Sequence, residues 1–387
     1  MDVKNLKIIF EEEYGKSNQK LQCFFAPGRV NLIGEHIDYN GGYVFPAALS
    51  LGIYGLLRLR DDQKIQLRST NAVEKVCVDL QEAILYKEEE GWGNYPKGVI
   101  KSLQDKGYSL GGYDILFSGN LPDGAGLSSS AALLVLATFM LRWAAGDKDM
   151  DRVEIAKFSQ KVENEFIKVN CGIMDQFAVA MGQEDCAILL DCETLTYKYI
   201  PCVLGKYSLV IMNTNKKREL AESNYNQRRK ECEEALALIR NHTSVANLCQ
   251  ALPKDITAYL TDDVLKRRAT HVVSENRRVL LATQLLEQGN MIAFGKLMTE
   301  SHESLKNDYE VTGLELDSIV TEALIAPGCI GARMTGAGFG GCAIALVENS
   351  KLEDFKERVA KGYNKTTGLT PDFYEASIAD GVRFLEC

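Results

Sequence analysis

Residues 131–145 are apolar on nearly every side and stop at Gly146. A helix of that composition has no face to show to water, so the fold must bury it all round, and a glycine just past its end suits a left-handed cap. Immediately ahead stands LPDGAGLSSSAA, residues 121–132, and ahead of that a strand-like run over 113–117. Strand, glycine-serine loop and buried helix in succession put Gly124, Gly126, Ser128, Ser129 and Ser130 at a helix N-terminus. Free backbone N–H groups and the helix dipole favour an anion there. Glycines let the backbone approach a phosphate closely, and a serine hydroxyl can ligate Mg²⁺. No Lys-Ser/Thr pair ends the loop, so this is not a P-loop NTPase. Simple capping by Ser128 would need one serine and no glycines, so phosphate binding is the preferred reading.

A chain of 387 residues exceeds one ordinary core of roughly 100–200 residues, so two domains are expected. Its net charge of -9 offers no basic face, which argues against a nucleic-acid partner. The eleven cysteines are scattered and form no C-x-x-C pair, so zinc ribbons and dithiol redox sites lack support and a reduced, cytoplasmic protein is expected. The first fifteen residues turn acidic where a signal peptide would stay apolar. The most apolar run, 131–141, is well short of the ~20 residues that cross a bilayer, so no membrane association is expected.

Up to about residue 213 the pattern is mainly of short strands, at 53–60, 64–69, 113–117, 187–191, 197–201 and 207–212. The buried helix interrupts them. So does a second one, opened by Asp151 and Glu154 at capping-box spacing and carrying Ile155, Phe158, Val162, Phe166 and Val169 on one face. Beyond Lys216 long helices dominate, at 219–240, 263–287, 291–308 and 314–326. Strands at 329–334 and 342–347, a helix at 352–361 and a strand at 373–378 close the chain. Strands and helices do not alternate regularly, so the expected class is α+β, with domains over 1–215 and 216–387.

Three further segments are dense in special residues. PGRVNLIGEHIDYNGG, residues 27–42, interleaves Arg29, Glu35, His36 and Asp38 with Val30, Leu32 and Ile33, which anchor it to a core. Carboxylates and an imidazole that close together suit a polyhydroxylated ligand. MTGAGFGG, residues 334–341, matches G-x-G-x-x-G formally, but a strand rather than a helix follows, so the dinucleotide reading fails. What is left is a hairpin connection or a loop closing on an active site. In CGIMDQ, residues 171–176, Asp175 by composition alone reads as a helix N-cap. Glu163 and Glu165 both flank the apolar face of the capped helix, and helical geometry does not choose between them as a metal ligand. The four histidines are dispersed, without a zinc pattern.

Together these segments resemble the galactokinases, a branch of the GHMP small-molecule kinases. PGRVNLIGEHIDYNGG resembles the galactokinase signature, GAGLSSSAA the ATP-phosphate loop, GARMTGAGFGGC the third family motif, and CGIMDQF is galactokinase-like. The resemblance implies two α+β domains, an N-terminal one like ribosomal protein S5 domain 2 and a ferredoxin-like C-terminal one, with the active site between them. It implies transfer of the γ-phosphoryl of ATP to the C1 hydroxyl of α-D-galactose, with Mg²⁺. A monomer is expected, with an oligomer left open.

It further implies that Asp175 is the catalytic base and that Arg29 beside it stabilises the transition state. Glu35, His36, Ile37, Asp38, Gly172, Asp175 and Tyr225 would form the sugar pocket. Ser69, Gly124, Ala125, Gly126, Leu127, Ser128, Ser129 and Ser130 would contact the nucleotide, and Ser130 and Glu163 the metal. The family's spacing to Asp175 selects Glu163 over Glu165. Ile37 stands where many galactokinases carry threonine. Two other functions compete, a kinase for N-acetylgalactosamine or another sugar, and a non-catalytic galactose and ATP sensor. The intact Ser130-Ala131-Ala132 run and Asp175 argue against the sensor.

Overall fold

The computed structural model describes residues 3–122, 126–216 and 221–386. After helix α1 (Val3–Tyr14) come strands β1 (Gln22–Asn31), β2 (Tyr43–Val44), β3 (Pro46–Arg60), β4 (Lys64–Ser69) and β5 (Val76–Asp79), helix α2 (Asn94–Asp105) and strand β6 (Gly112–Gly119). Helices α3 (Ser129–Ala144), α4 (Arg152–Val162) and α5 (Met174–Met181) precede β7 (Cys186–Asp191), β8 (Tyr197–Pro201) and β9 (Tyr207–Asn213). Helices α6 (Ala221–Arg240), α7 (Pro253–Tyr259), α8 (Asp263–Glu287), α9 (Met291–Ser304) and α10 (Gly313–Ile325) follow. Then come β10 (Cys329–Thr335), β11 (Cys342–Glu348), α11 (Leu352–Thr367), β12 (Asp372–Ala376) and β13 (Arg383–Leu385).

Six strands form one sheet in the order β13-β1-β3-β6-β4-β5, in which β4 and β6 run parallel and the other neighbours antiparallel. On it lies α3, whose residues from Ala131 to Leu141 are all buried. It packs against β1 and β3 and is flanked by α2, α4 and α5, the complete enclosure its composition demands. The second sheet, β10-β11-β9-β12, is antiparallel and carries α9 and α10 against β10. A small third sheet, β2-β7-β8, sits beside them. One continuous apolar core runs through both halves.

This is the expected α+β architecture, although two strands cross the expected border. β9 precedes residue 215 yet pairs with β11 and β12, while β13, near the far end, returns to the edge of the first sheet. A cut at 215 therefore separates two strands from the sheets whose hydrogen bonds they share. The capped helix opens as expected, with Asp151 Oδ1 accepting from Val153 N at 2.8 Å, and closes in a wide π-turn over Glu163–Ile167. The helix expected over 291–308 likewise ends in a π-turn, Leu305–Tyr309. Among the described residues no helix is long and apolar enough to cross a membrane.

Candidate active site

Strand β1 loses register with β3 between Pro27 and Arg29, where Gly28 alone stands opposite the extra residues Leu49, Ser50 and Leu51 of β3. Extra residues of this kind bend a strand pair and re-aim side chains. Gly28 lets the chain pass close to its neighbours, since a Cβ there would stand 2.5 Å from Leu121 Cδ2 and 2.8 Å from Leu127 O. The end of β1 thus rests against the segment leading into α3, with Arg29 N donating to Leu127 O at 3.1 Å. There the Arg29 guanidinium meets Asp175 in the first turn of α5. Nε reaches Oδ1 at 2.8 Å and an Nη reaches Oδ2 at 2.7 Å, and the other Nη holds the Gly126 carbonyl at 2.8 Å. A two-point guanidinium–carboxylate pair fixes orientation as well as charge. Arg29 is only 5% exposed, but Asp175 keeps 31% of its side chain open, enough to meet a ligand.

Asp175 lies on the floor of a cavity of about 440 Å³. On one side stands the N-terminus of α3. Ser128 adopts a left-handed conformation (φ 63°) and makes no side-chain cap, its hydroxyl donating instead to Asp175 Oδ2. The first amides of α3 therefore face the cavity without a side chain to satisfy them, the usual setting for an anion. Nearby, Glu163 comes off the last turn of α4 and is buried, with one carboxylate oxygen accepting from Gln176 Nε2 at 2.6 Å. Burial raises its pKa, the Ser130 hydroxyl hydrogen-bonds against that shift, and the negative charge of Asp175 adds to it.

On the other side stand Glu35, His36, Asp38, Gly172 and Tyr225. Glu35 Oε1 is held by Gly336 N at 2.7 Å, Thr335 Oγ1 at 3.1 Å and the fully buried Arg333 at 3.4 Å. His36 sits at φ 62°, and its ring contacts Tyr39 and the Ala337 carbonyl. Burial pushes its pKa down to about 3. Burial, with the charge of Asp175 adding to it, pushes Asp38 up to about 6. Gly172 belongs here for lack of a side chain, because a Cβ would fall 1.9 Å from Asp38 Oδ2.

The structure thus brings together Arg29, Glu35, His36, Asp38, Gly126, Leu127, Ser128, Ser129, Ser130, Glu163, Gly172, Asp175 and Tyr225. Ile37 is not among them. Wholly buried, it packs beneath Gly42 because the turn that carries His36 and Asp38 to the cavity sends the residue between them into the core. Ser69 also lies apart, at the end of β4 beside a separate depression, with its hydroxyl taken by Asn71 N at 3.1 Å. Gly124 and Ala125 fall outside the described residues. Glu165 is exposed and pairs with Lys161 at 3.8 Å, so only Glu163 reaches the cavity.

Asn170, Cys171, Asn226, Gly336 and Ala337 also line the cavity, without having been singled out as site residues. For the last two the glycine cluster was the available signal. It is both of the things its pattern allows, the connection of the β10–β11 hairpin and a wall of the cavity. The asparagines carry no pattern that would have marked them.

Comparison with known proteins follows the same lines. Residues 9–59 match the galactokinase galactose-binding signature, 94–183 the GHMP kinases N-terminal domain, and 282–365 the GHMP kinases C-terminal domain. A Clostridium tetani galactokinase is 56% identical over 384 residues, covering 98% of this chain and 97% of the relative. An Enterococcus faecalis galactokinase is 50% identical over 382 residues, covering 97% and 98%. The crystal structure of Lactococcus lactis galactokinase complexed with galactose superimposes with a TM-score of 0.94 at 43% identity, covering 99% of this chain and all (100%) of that one. Methanococcus jannaschii mevalonate kinase, 21% identical with a TM-score of 0.67 over 94% of this chain and 100% of its own, shares the fold. With a galactokinase signature, both GHMP domains and full-length relatives of that kind, the chain belongs to the galactokinase family of GHMP kinases.

Proposed function

We propose that this enzyme transfers the γ-phosphoryl group of ATP to the C1 hydroxyl of α-D-galactose, giving galactose 1-phosphate and ADP. The observation that carries the reading is the position of the Arg29–Asp175 pair. It lies between a helix N-terminus suited to phosphates and a pocket of carboxylates suited to sugar hydroxyls, within one cavity. Phosphoryl transfer asks a protein mainly for positioning and charge neutralisation. The open part of Asp175 orients the C1 hydroxyl and takes its proton as the oxygen bonds to phosphorus. Arg29 holds that carboxylate in place and sets a fixed cation beside the charge that develops. The N–H groups at the start of α3 draw negative charge from the phosphates. Glu35 and Asp38 accept hydrogen bonds from the sugar's remaining hydroxyls, with Tyr225 closing the pocket.

The residues also fit a magnesium ion. Ser130 and Glu163 offer hard oxygen donors, and the raised pKa of Glu163 is the mark of a buried carboxylate that a cation would stabilise. Among the described residues no group of three or more His, Cys, Asp or Glu could hold a metal. Two protein oxygens, with phosphates and water completing the shell, are what Mg²⁺ typically takes. Bound there, it would neutralise phosphate charge.

The test is kcat/KM with ATP and galactose, glucose, 2-deoxygalactose or N-acetylgalactosamine. Galactose and glucose differ only at C4, so the wrong epimer leaves a buried polar group unpaired, at about 1–3 kcal/mol, or roughly 10- to 100-fold. Equal use of the two sugars would overturn the reading. 2-Deoxygalactose should remain a poorer substrate, and N-acetylgalactosamine should be refused.

A further inference from the structure

His36 lines the cavity, yet both of its ring nitrogens are already engaged by the protein. Nε2 lies 3.1 Å from the Ala337 carbonyl, which can only accept, so Nε2 carries the proton. In the neutral ring that burial enforces, Nδ1 must then accept, and its partner is the Tyr39 hydroxyl at 2.9 Å. Tyr39 has spent its proton on His36, so the Tyr309 hydroxyl, 2.8 Å away, donates to Tyr39. Tyr309 has in turn spent its own, so the Cys232 thiol, 3.0 Å away, donates to Tyr309. Each link dictates the next, and only one direction satisfies them all. Tyr309 and Cys232 are 0% and 1% exposed, so neither is open to bulk solvent.

We propose that Cys232, Tyr309 and Tyr39 form a one-way hydrogen-bond chain that fixes His36 as a positioning group. In this role His36 holds the Ala337 carbonyl and lends neither ring nitrogen to a sugar hydroxyl. The inference rests on reading this cavity as the sugar site. Its members come from α6, the turn after α9, the signature loop and the β10–β11 connection, so the chain ties the helical half of the molecule to two walls of the pocket. The Tyr225 ring packs 5.5 Å from His36 and 5.4 Å from Tyr39 and closes the cluster. Two facts mark His36 as held rather than free. A non-glycine residue at φ 62° persists only where its surroundings over-determine it. The peptide it grips adjoins Gly336, whose N–H fixes Glu35 Oε1 at 2.7 Å. Loosening the chain should therefore release the carboxylate wall and leave the phosphate side untouched.

Two measurements test it, one independent of activity. In the full chain labelled with ¹⁵N-histidine, long-range ¹H–¹⁵N spectra between about pH 5.5 and 8 should show His36 as a non-titrating Nε2–H tautomer. Its signal is assigned by its loss in His36→Gln among the four histidines. An Nδ1–H tautomer, or a ring that titrates in that range, overturns the proposal. In Tyr309→Phe, the galactose KM should rise roughly 5- to 30-fold, as for the loss of one buried hydrogen bond, with the ATP KM and kcat within about threefold. Cys232→Ser, which restores a donor, should stay near wild type, while Cys232→Ala should raise the galactose KM. An unchanged galactose KM in Tyr309→Phe, or an equal rise in both KM values, also overturns it. Should that variant fail to fold, Tyr39→Phe carries the same kinetic expectation. A wild type inactive on galactose would sink the functional reading, and the tautomer would still decide the chain.

Discussion

Asp175 accepts from Arg29 at both oxygens and from Ser128 at one, yet keeps a face toward the cavity. In Asp175→Asn the shape survives, but the proton acceptor is lost and Arg29 faces a neutral amide. Turnover should fall at least ~10²-fold while galactose still binds, as calorimetry would show. Near-normal turnover would remove Asp175 from the mechanism. Glu163 and Glu165 offer a second comparison, since they stand two positions apart on one helical turn with opposite surroundings. Glu163→Gln should raise the magnesium concentration needed for half-maximal rate and lower kcat. Glu165→Gln touches an exposed ion pair worth about 0–1 kcal/mol and should leave both unchanged. The reverse pattern in a magnesium titration would refute the assignment of Glu163.

The unit that aims the site is a pair of elements, the end of β1 at its register break with β3 and the loop entering α3. Gly28 is their contact. In Gly28→Ala the new methyl meets Leu121 and the Leu127 carbonyl, so either the end of β1 or the loop must shift. A displacement of about 1 Å at reacting groups can cost ~10²-fold, so kcat should drop at least tenfold with the sheet and its thermal midpoint largely kept. An unaltered kcat would show that this close approach does not set the Arg29 geometry. Much at this scale is legible in sequence. The strands at 64–69 and 197–201 and the helix at 263–287 stand where pattern puts them, the last because Asp262 caps Val264 and Leu265 ahead of a clear helical period. β1 is hidden because its partner lies about twenty-five residues on, and because Pro27, Gly28 and Gly34 read locally as turn residues. α2 carries Pro96 and Gly98, and pattern alone passes over it, although proline costs little in a first helical turn. α11 continues through Gly362 to Thr367 since the bare backbone lies against Glu322. At the site, the glycine and serine motifs announced themselves. Ile37 did not reveal its inward orientation, because adjacent letters do not say which way a turn points them.

Across the whole molecule, the buried ionisable groups gather where the signature loop meets the second half of the chain. His271 lies 3.1 Å from the Glu35 carbonyl and 3.0 Å from Ser304 Oγ, and His302 Nδ1 accepts from Met334 N at 3.3 Å. Burial pushes the pKa of His36 to about 3, of His271 to about 4 and of His302 to about 3, the Arg333 charge adding to the last. Unfolded, each takes up a proton near pH 6.5. Between about pH 4 and 6 the unfolded chain therefore binds up to three more protons at these sites, and stability rises with pH. Two carboxylates oppose this. Asp38 is raised to about 6 and Glu163 is raised as well, so the folded chain holds their protons longer and loses stability as pH climbs through the same window. Three histidines against two carboxylates leave a net rise of stability with pH. The urea midpoint of the ligand-free chain should therefore climb from pH 4.5 to 6 and level off only above about pH 7.5. A midpoint that is flat or falls over that interval would mean that the histidine cluster is not held neutral, and that charge at this seam is tolerated.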